Sequence, residues 1–369
     1  MSSQPRPLFV GSGVYSRSAF PNLHPLSFSR VGAVEAICRE MGWLDGLYVN
    51  AVAATRDELA RFHTPAYIDA FARADREGHV SAEARAQFGL GTMANPIFPG
   101  VFARAATSVG GSILAARLAA QGRIVFHPAG GTHHGRAGRA AGFCYFNDPV
   151  FAILESLALG AARVAYVDFD AHHGDGVEDA FADDKRVRTI SLHEQGRWPG
   201  SGANGDRRAG QARNLCVPSG LNDTEFEFLV SRAVVPLVRD FAPEALVIVA
   251  GADALAGDPL ARLALGNGAL WRGVAAAAAC AARVVVLGGG GYNPWNVARG
   301  WSGLWARLAG FAIPDLAPPS VRKILEGLDS DLIDEDDRAA EWTTSFADAP
   351  RPGAVRAEVR EIAARALAP

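Results

Sequence analysis

The sequence has few cysteines, and they are not spaced as metal-binding pairs. Four cysteines occur in 369 residues, and no CxxC motif is present. They are Cys38, Cys144, Cys216 and Cys280. Scattered cysteines of this kind are typical of reduced thiols, which argues against a cysteine-bound zinc site. We therefore expect a cytoplasmic protein.

The sequence also lacks an excess of positive charge and a long apolar run. Lysine and arginine number 36 against 39 aspartates and glutamates, so we expect no nucleic-acid partner. The best candidate for a membrane segment is the alanine-rich run at 273–282, which an arginine brackets on each side. This run is too short to span a bilayer, so it predicts a packed helix and no membrane partner. The amino terminus does not resemble a signal peptide.

What the sequence does contain is an alternation of short apolar segments with helical patterns from about residue 100. This alternation predicts an α/β fold in which a parallel sheet is covered by helices on both faces. The predicted strands are Arg123–His127, Arg163–Asp170, Val187–Leu192, Ala245–Ala250 and Val284–Leu287. The predicted helices are Gly100–Gln121, Asn147–Gly160, Asp223–Phe241, Ala269–Ala282 and a surface helix at Pro352–Ala366. We expect one domain over 1–369, with a less regular tail from about residue 314.

Polar, glycine-rich segments follow four of these predicted strands. GGTHHG follows 123–127, DFDAHHGDG closes 163–170, GADALAGD follows 245–250, and GGGGYN follows 284–287. Ligands of open parallel sheets bind at the carboxyl ends of the strands. The four segments therefore predict one assembled site.

The segment VAYVDFDAHHGDG carries the strongest metal signal. Side chains alternate along a strand, so Asp168, Asp170 and His172 share one face, and the last two can bind one metal ion. GADALAGD offers two candidates for a third ligand, Asp253 and Asp258, of which Asp253 lies nearer the strand end. One histidine and two carboxylates suit Zn²⁺ or Fe²⁺ with a position open for water and substrate.

Two adjacent histidines and a tyrosine are candidates for catalysis. His133 and His134 lie among glycines that allow the loop to bend, and Asp168 and Asp175 are left over to fix the tautomers of two histidines. Tyr292 follows four glycines, and its hydroxyl would stabilise an oxyanion on a carbonyl. The combination predicts metal-assisted amide hydrolysis in which a histidine acts first as general base and then as general acid.

These motifs resemble those of the metal-dependent histone deacetylase superfamily, which includes bacterial acetoin-utilisation deacetylases and acetylpolyamine amidohydrolases. The segments occur in family order between about His24 and Trp301, as HPAGGTHHG, GFCYFND, YVDFDAHHGDGVEDAF, GADALAGD and LGGGGYN. Within this superfamily, the motifs are most similar to those of class I deacetylases and acetoin-utilisation proteins. The resemblance implies an arginase-like α/β fold with a central parallel sheet of about eight strands and helices on both faces. It also implies a zinc-dependent amidohydrolase that removes a short acyl group, foremost from acyl-lysine.

The resemblance implies the cation ligands. Asp170, His172 and Asp253 become the ligands of Zn²⁺, with Fe²⁺ as the alternative metal. A structural K⁺ ion is implied as well. Its implied ligands are Asp168, Asp170, His172, Ser191 and Leu192.

The resemblance also implies the catalytic roles. His134, backed by Asp175, becomes the general base and acid, and His133, backed by Asp168, becomes its electrostatic partner. Tyr292 becomes the residue that polarises the carbonyl.

The resemblance further implies a narrow tunnel for the acyl-lysine stem. Phe143 and Trp198 would form its walls, Gly142 would line it, and Leu260 would lie at the rim. Arg30 is similar to the family's arginine near an inner channel for acetate release.

One departure from the family leaves the substrate open. Members that take peptides often carry a rim aspartate two positions before a proline, and Ala94 stands at that position here. An acetylpolyamine or another small acylated amine is therefore an alternative substrate. A binuclear manganese ureohydrolase is disfavoured because Gly174 stands where those enzymes have a carboxylate. A non-catalytic sensor of acyl ligands is the third alternative, and the sequence does not indicate the oligomeric state.

Overall fold

Eight short strands form one parallel sheet in the computed structural model, which describes residues 5–17 and 19–368. The order across the sheet is β2-β1-β3-β8-β7-β4-β5-β6, and each neighbouring pair is parallel. In chain order the strands are β1 (Leu8–Gly11), β2 (Tyr48–Asn50), β3 (Ile124–His127), β4 (Val164–Asp168), β5 (Val187–Glu194), β6 (Ala212–Val217), β7 (Ala245–Val249) and β8 (Arg283–Leu287).

Helices lie in most of the connections between strands, as parallel strands require a crossover connection. The α-helices of the described residues are α1 (Arg30–Glu40), α2 (Arg56–Leu59), α3 (Pro65–Glu77), α4 (Ala82–Phe88), α5 (Val101–Ala119), α6 (Asp148–Ala158), α7 (Asp175–Ala180), α8 (Asp223–Leu229), α9 (Val235–Phe241), α10 (Asn267–Ala278), α11 (Pro294–Ala309), α12 (Pro319–Glu326), α13 (Glu341–Thr344) and α14 (Ala357–Leu367). None of these helices is both long and apolar enough to cross a membrane.

Both faces of the sheet are buried, as the continuous apolar strands predict. Along β4, Val164 and Tyr166 belong to the apolar cluster on the face covered by α5 and α6. Ala165 and Val167 alternate with them and belong to the cluster on the opposite face. This two-residue alternation places the sheet between two helical layers.

The five predicted strands all exist, with ends that differ by at most two residues from the prediction. The sequence pattern did not predict the strands β1, β2 and β6. The first two contain only four and three residues. The third places Arg213 and Asn214 in a strand at the edge of the sheet. Such short or polar segments have too little periodicity to be recognised without their neighbours.

Three predicted helices differ from the structure, and the one predicted at 269–282 spans Asn267–Ala278 instead. The helix predicted at 223–241 is interrupted by a π-helical turn at Val230–Val234, because Pro236 in the next turn cannot donate a backbone hydrogen bond. The predicted surface helix at 352–366 begins only at Ala357, and α14 buries one face that includes Val359 and Ile362. Packing against β6 and α8 accounts for that burial.

Candidate active site and metal centre

The four polar segments meet because they follow four neighbouring strands. The strands β3, β8, β7 and β4 are consecutive in the sheet. Their carboxyl ends therefore place the histidine pair, the glycine–tyrosine loop and both acidic segments at one edge.

Asp170, His172 and Asp253 form a buried group that can hold a metal ion. One ligand atom from each lies within 4.8 Å of the other two. Asp170 and His172 come just after β4, and Asp253 lies in a short 3₁₀ turn after β7. Two carboxylates and an imidazole are the donor set of a catalytic zinc or iron site. The donors present therefore fit such a metal.

Asp258 lies outside this group. Its Oδ2 atom accepts a hydrogen bond from the backbone N–H of Tyr292 at 2.7 Å, and its Oδ1 atom accepts one from that of Leu260 at 2.9 Å. This carboxylate thus holds the tyrosine loop in place. The sequence presented it only as a second-choice ligand, because spacing does not show which backbone N–H groups a carboxylate meets.

Glycines allow the carboxylates of Asp170 and Asp253 to approach the tyrosine loop closely. The backbone N–H of Gly290 donates to Asp170 Oδ2 at 2.6 Å. A β-carbon at this glycine would collide with the Asp253 carboxylate and lie 2.8 Å from that of Asp170. Only glycine therefore fits at this position of the loop.

The electrostatics of the group favour a bound cation. Burial and the neighbouring Asp170 charge raise the pKa of Asp253. Burial opposes the charged form of Asp170 too, but the imidazoles of His133 and His172 more than offset it and lower its pKa. Two carboxylates buried side by side are stable only with compensating positive charge, which a divalent ion supplies.

Each histidine of the pair is backed by one aspartate. Nδ1 of His133 lies 2.7 Å from Oδ2 of Asp168, and Nδ1 of His134 lies 2.7 Å from Oδ1 of Asp175. The Tyr166 hydroxyl donates to the same Asp168 oxygen at 2.5 Å. The sequence predicted this use of the spare aspartates, and the two loops bring the partners together.

The two histidines experience opposite electrostatic effects. Burial lowers the pKa of His133, but the Asp168 and Asp170 carboxylates more than offset it and raise the pKa to about 9. Burial and the positive His133 lower the pKa of His134 to about 3. His134 is therefore neutral at ordinary pH and can accept a proton.

Arg136 is a functional neighbour that the sequence analysis missed. Its guanidinium donates to the Asp175 backbone carbonyl at 3.0 Å and also to the carboxylate oxygen that His134 does not use. Its position in the sequence, two residues after the histidine pair, could have indicated that it lies near the site. The contact fixes the carboxylate that orients His134.

His133, His134 and Tyr292 line a small cavity of about 40 Å³ together with Gly142 and Phe143. The ring of Tyr292 lies 5.6 Å from that of Phe143 and 6.4 Å from that of His172, measured between centroids. The half-exposed Trp198 ring stands edge-on to His134 at 4.5 Å. A side chain at Gly142 would collide with the Trp198 indole, so only glycine fits beside this ring.

The remaining predicted residues lie near the site. Ser191 pairs with Asp168 in register between β5 and β4, and Leu192 is the next residue along β5. Leu260 is half-buried and does not belong to the described lining of the 40 Å³ cavity, so its rim role stays a prediction.

An eight-stranded parallel sheet with this site at its carboxyl edge places the chain in the class of arginase-like α/β proteins. Residues 24–308 match the histone deacetylase domain. The chain belongs to the histone deacetylase family and is a deacetylase, which is a hydrolase.

Individual relatives agree with this assignment. The chain is 32% identical to histone deacetylase 8 of Xenopus tropicalis over 85% of its own length and 86% of the relative. It is 33% identical to the acetoin utilization protein AcuC of Bacillus subtilis over 85% and 84%. The crystal structure of an HDAC homolog from Aquifex aeolicus matches with a TM-score of 0.94 and 31% identity, covering 99% of this chain and 100% of that one. A solved complex of an HDAC homolog with SAHA matches with a TM-score of 0.93 at 31% identity, covering 99% and 100%.

Proposed function

We propose that this deacetylase removes acetyl or another short acyl group from an acylated amine, foremost acyl-lysine. The observation that carries the proposal is a neutral, aspartate-backed His134 lining one cavity with Tyr292, next to the Asp170–His172–Asp253 group. We propose Zn²⁺ at that group, with Fe²⁺ as the alternative. When bound, the metal would polarise the acyl carbonyl and lower the pKa of a water molecule.

The histidine pair moves the protons. Because Nδ1 of His134 is engaged with Asp175, its Nε2 is the atom that accepts a proton from water and later gives it to the leaving amine. His133 carries positive charge beside Asp168 and thereby stabilises negative charge that develops in the cavity. Tyr292 donates its hydroxyl to the carbonyl oxygen as that oxygen becomes negative.

In this proposal the catalytic cavity has an entrance that admits the extended, unbranched stem of an acyl-lysine. Gly142, Phe143 and Trp198 form the walls of this entrance, and Leu260 lies at its rim. We expect the chain to bind SAHA, since the similar HDAC homolog was solved with that compound. A hydroxamate of this kind is therefore a suitable inhibitor for testing the site.

We also propose a structural K⁺ ion beside the metal site. Its ligands would be supplied by the end of β4, the residues just after it and the middle of β5, where Ser191 is paired with Asp168. The full proposed set is Asp168, Asp170, His172, Ser191 and Leu192. We place the protein in the cytoplasm, consistent with its four free cysteines.

The proposal is tested on a panel of acyl-lysine peptides and acetylated polyamines with metal-analysed protein. We expect turnover that a hydroxamate abolishes and that tracks one zinc or iron per chain. Turnover that is insensitive to the hydroxamate and to metal removal would contradict the proposal.

A small acylated amine such as an acetylpolyamine is the second candidate substrate, because Ala94 has no carboxylate to bind a peptide backbone. The Ala94 carbonyl lies 3.3 Å from His24 Nε2. The ring of His24 in turn lies 5.0 Å from that of Phe143, measured between centroids. Faster turnover of polyamines than of peptides would favour this candidate. Tight hydroxamate binding without turnover of any acyl compound would instead favour a non-catalytic sensor.

A binuclear centre has less support. A β-carbon at Gly174 would collide with the Asp168 carboxylate that holds His133, so this position has no room for a further carboxylate ligand. Two manganese ions per chain would contradict this argument.

Asp253→Ala is expected to strip the metal. Loss of one of three protein ligands should weaken metal affinity by more than the roughly 10- to 100-fold that loss of an outer hydrogen-bond partner costs. Elemental analysis after dialysis measures the metal content of the variant. Asp315→Ala, which changes an exposed aspartate, is the control and should keep its metal. Full occupancy in Asp253→Ala would mean that the third ligand is a different residue, with Asp258 next in line.

A further inference from the structure

Two residues of the proposed entrance lie in turns from separate parts of the chain. Trp198 lies in a turn that follows β5, and Leu260 lies in a turn that follows β7. No helix or strand holds either residue directly. Their positions therefore depend on the side chains that anchor the two turns.

Glu194 joins these two turns. It is the last residue of β5, and its Oε2 atom accepts hydrogen bonds from the backbone N–H of Arg262 at 2.8 Å and from Nε of Arg197 at 2.9 Å. Arg197 directly precedes Trp198, and Arg262 is two residues after Leu260. One carboxylate oxygen thus connects the turn of the proposed wall residue to that of the proposed rim residue.

The backbone of the same glutamate contacts the metal-site segment. The Glu194 N–H donates to the carbonyl of Ala171 at 2.9 Å. Ala171 lies between Asp170 and His172, two of the proposed metal ligands. Glu194 therefore fixes both turns relative to the segment that carries these ligands.

The burial of the Glu194 carboxylate makes these contacts strong. Its side chain is 2% exposed, and Arg197 is its one ion-pair partner in the part of the chain that the structure describes, residues 5–17 and 19–368. A buried carboxylate is stable only with directed donors, and hydrogen bonds to a charged group are stronger than neutral ones. Loss of this carboxylate would leave the Arg262 N–H and the Arg197 side chain without their shared acceptor.

Asp258 provides a second anchor for the turn of Leu260. Its Oδ1 atom accepts from the Leu260 N–H at 2.9 Å, while its other oxygen accepts from the Tyr292 N–H. Leu260 is thus held by Asp258 through its own N–H and by Glu194 through that of Arg262. Glu194 does not belong to the described lining of the 40 Å³ cavity, so it acts through the residues that it holds.

We propose that Glu194 is a positioning residue that fixes Trp198 and Leu260 relative to each other and thereby sets the width of the entrance for the amine stem. This inference rests on the proposed function and specifies how that site selects an unbranched stem. The residue takes no part in the reaction at the acyl carbon.

The test compares two hydroxamates that differ in whether they have a stem. SAHA carries its hydroxamate on a long methylene stem, whereas acetohydroxamate has no stem to contact the entrance. Calorimetric titration of metal-loaded Glu194→Ala should show SAHA binding weakened about tenfold, because an entrance that is no longer held must be ordered on binding. Acetohydroxamate affinity should stay unchanged. Unchanged SAHA affinity in the folded variant, or an equal loss for both compounds, would overturn the proposal.

Two further variants assign the effect to these contacts. Glu227→Ala removes an exposed glutamate that pairs with Arg272 at 2.6 Å, and it is the matched control that should bind both hydroxamates normally. A SAHA-specific loss in this control as large as that in Glu194→Ala would contradict the assignment. If Glu194→Ala does not fold, Arg197→Ala removes the partly exposed partner of the ion pair and is measured with the same expectation.

A double-mutant cycle tests whether Glu194 acts through Trp198. In a Trp198→Ala background, Glu194→Ala should weaken SAHA binding by only about threefold or less, since the wall that it holds is already absent. The same substitution in the unchanged background should cost the full tenfold. Losses that multiply would show that the two residues act independently, which would overturn the proposed coupling.

Steady-state kinetics separate this inference from the proposed function. With an acetyl-lysine peptide, Glu194→Ala should raise KM while kcat stays unchanged, as expected when binding of the stem alone is weakened. Normal KM together with normal SAHA affinity would overturn the inference and leave the deacylase intact. If no acyl compound is turned over by the unchanged protein, the proposed function fails, and the comparison of the two hydroxamates still decides the role of Glu194.

Discussion

Tyr292→Phe is expected to lower kcat about 10²- to 10³-fold with little change in metal content, because one donor to the developing oxyanion is lost. The substitution removes only the hydroxyl. The ring retains its contacts with Phe143 and His172, and the backbone N–H retains its bond to Asp258. Steady-state kinetics together with elemental analysis measure the two quantities.

A matched control is Tyr48→Phe, which removes a hydroxyl from a half-buried tyrosine near Glu35, outside the catalytic cavity. Its kcat should equal that of the unchanged protein. A Tyr292→Phe variant that turns over at the normal rate would remove this tyrosine from the mechanism. Loss of metal in that variant would instead show that the loop supports the metal group.

His134→Ala is expected to lower kcat about 10²- to 10⁴-fold while the metal stays bound, since general acid–base transfer is lost and the ligand group is not altered. His134 is hydrogen-bonded to Asp175, and its ring centroid lies 6.2 Å from that of the proposed ligand His172. His79→Ala, at an exposed histidine, is the control. Near-normal rates in His134→Ala would shift the base role to His133.

The pH profile provides a separate measure of the same residue. Burial and the His133 charge place the pKa of His134 at about 3, below the ordinary value of 6.5. Because the basic form exists above its pKa, the rate should stay high as pH falls through 6.5 and decline only at lower pH. An acid limb centred near 6.5 would mean that His134 is not shielded as the structure indicates.

The local chemistry of the site could be predicted from the sequence. Asp170 and His172 are two positions apart, and the sequence pattern predicted from this spacing that both could bind one metal ion, although β4 ends before them at Asp168. The choice of Asp253 over Asp258 followed from its distance along the chain from β7. The alternation of strands and helices indicated the layers, because continuous apolar strands must be buried on both faces.

The order of the strands in the sheet could not be predicted from the sequence pattern. That β3, β8, β7 and β4 are neighbours depends on how all the helices pack, and this order is what brings His134 and Tyr292 into one cavity. The short strands β1, β2 and β6 also needed their neighbours, because three to six residues carry too little periodicity alone.

The sequence by itself therefore determined the types of the candidate ligand residues, their local spacing and the layered fold, since these depend on covalent geometry and on apolar patterning. Only the tertiary structure decided that Arg136 shares Asp175 with His134. It alone placed Arg30 and Arg104 in the lining of one cavity. Such pairings join residues from separate elements, and their distances result from the packing of the whole chain rather than from any local pattern.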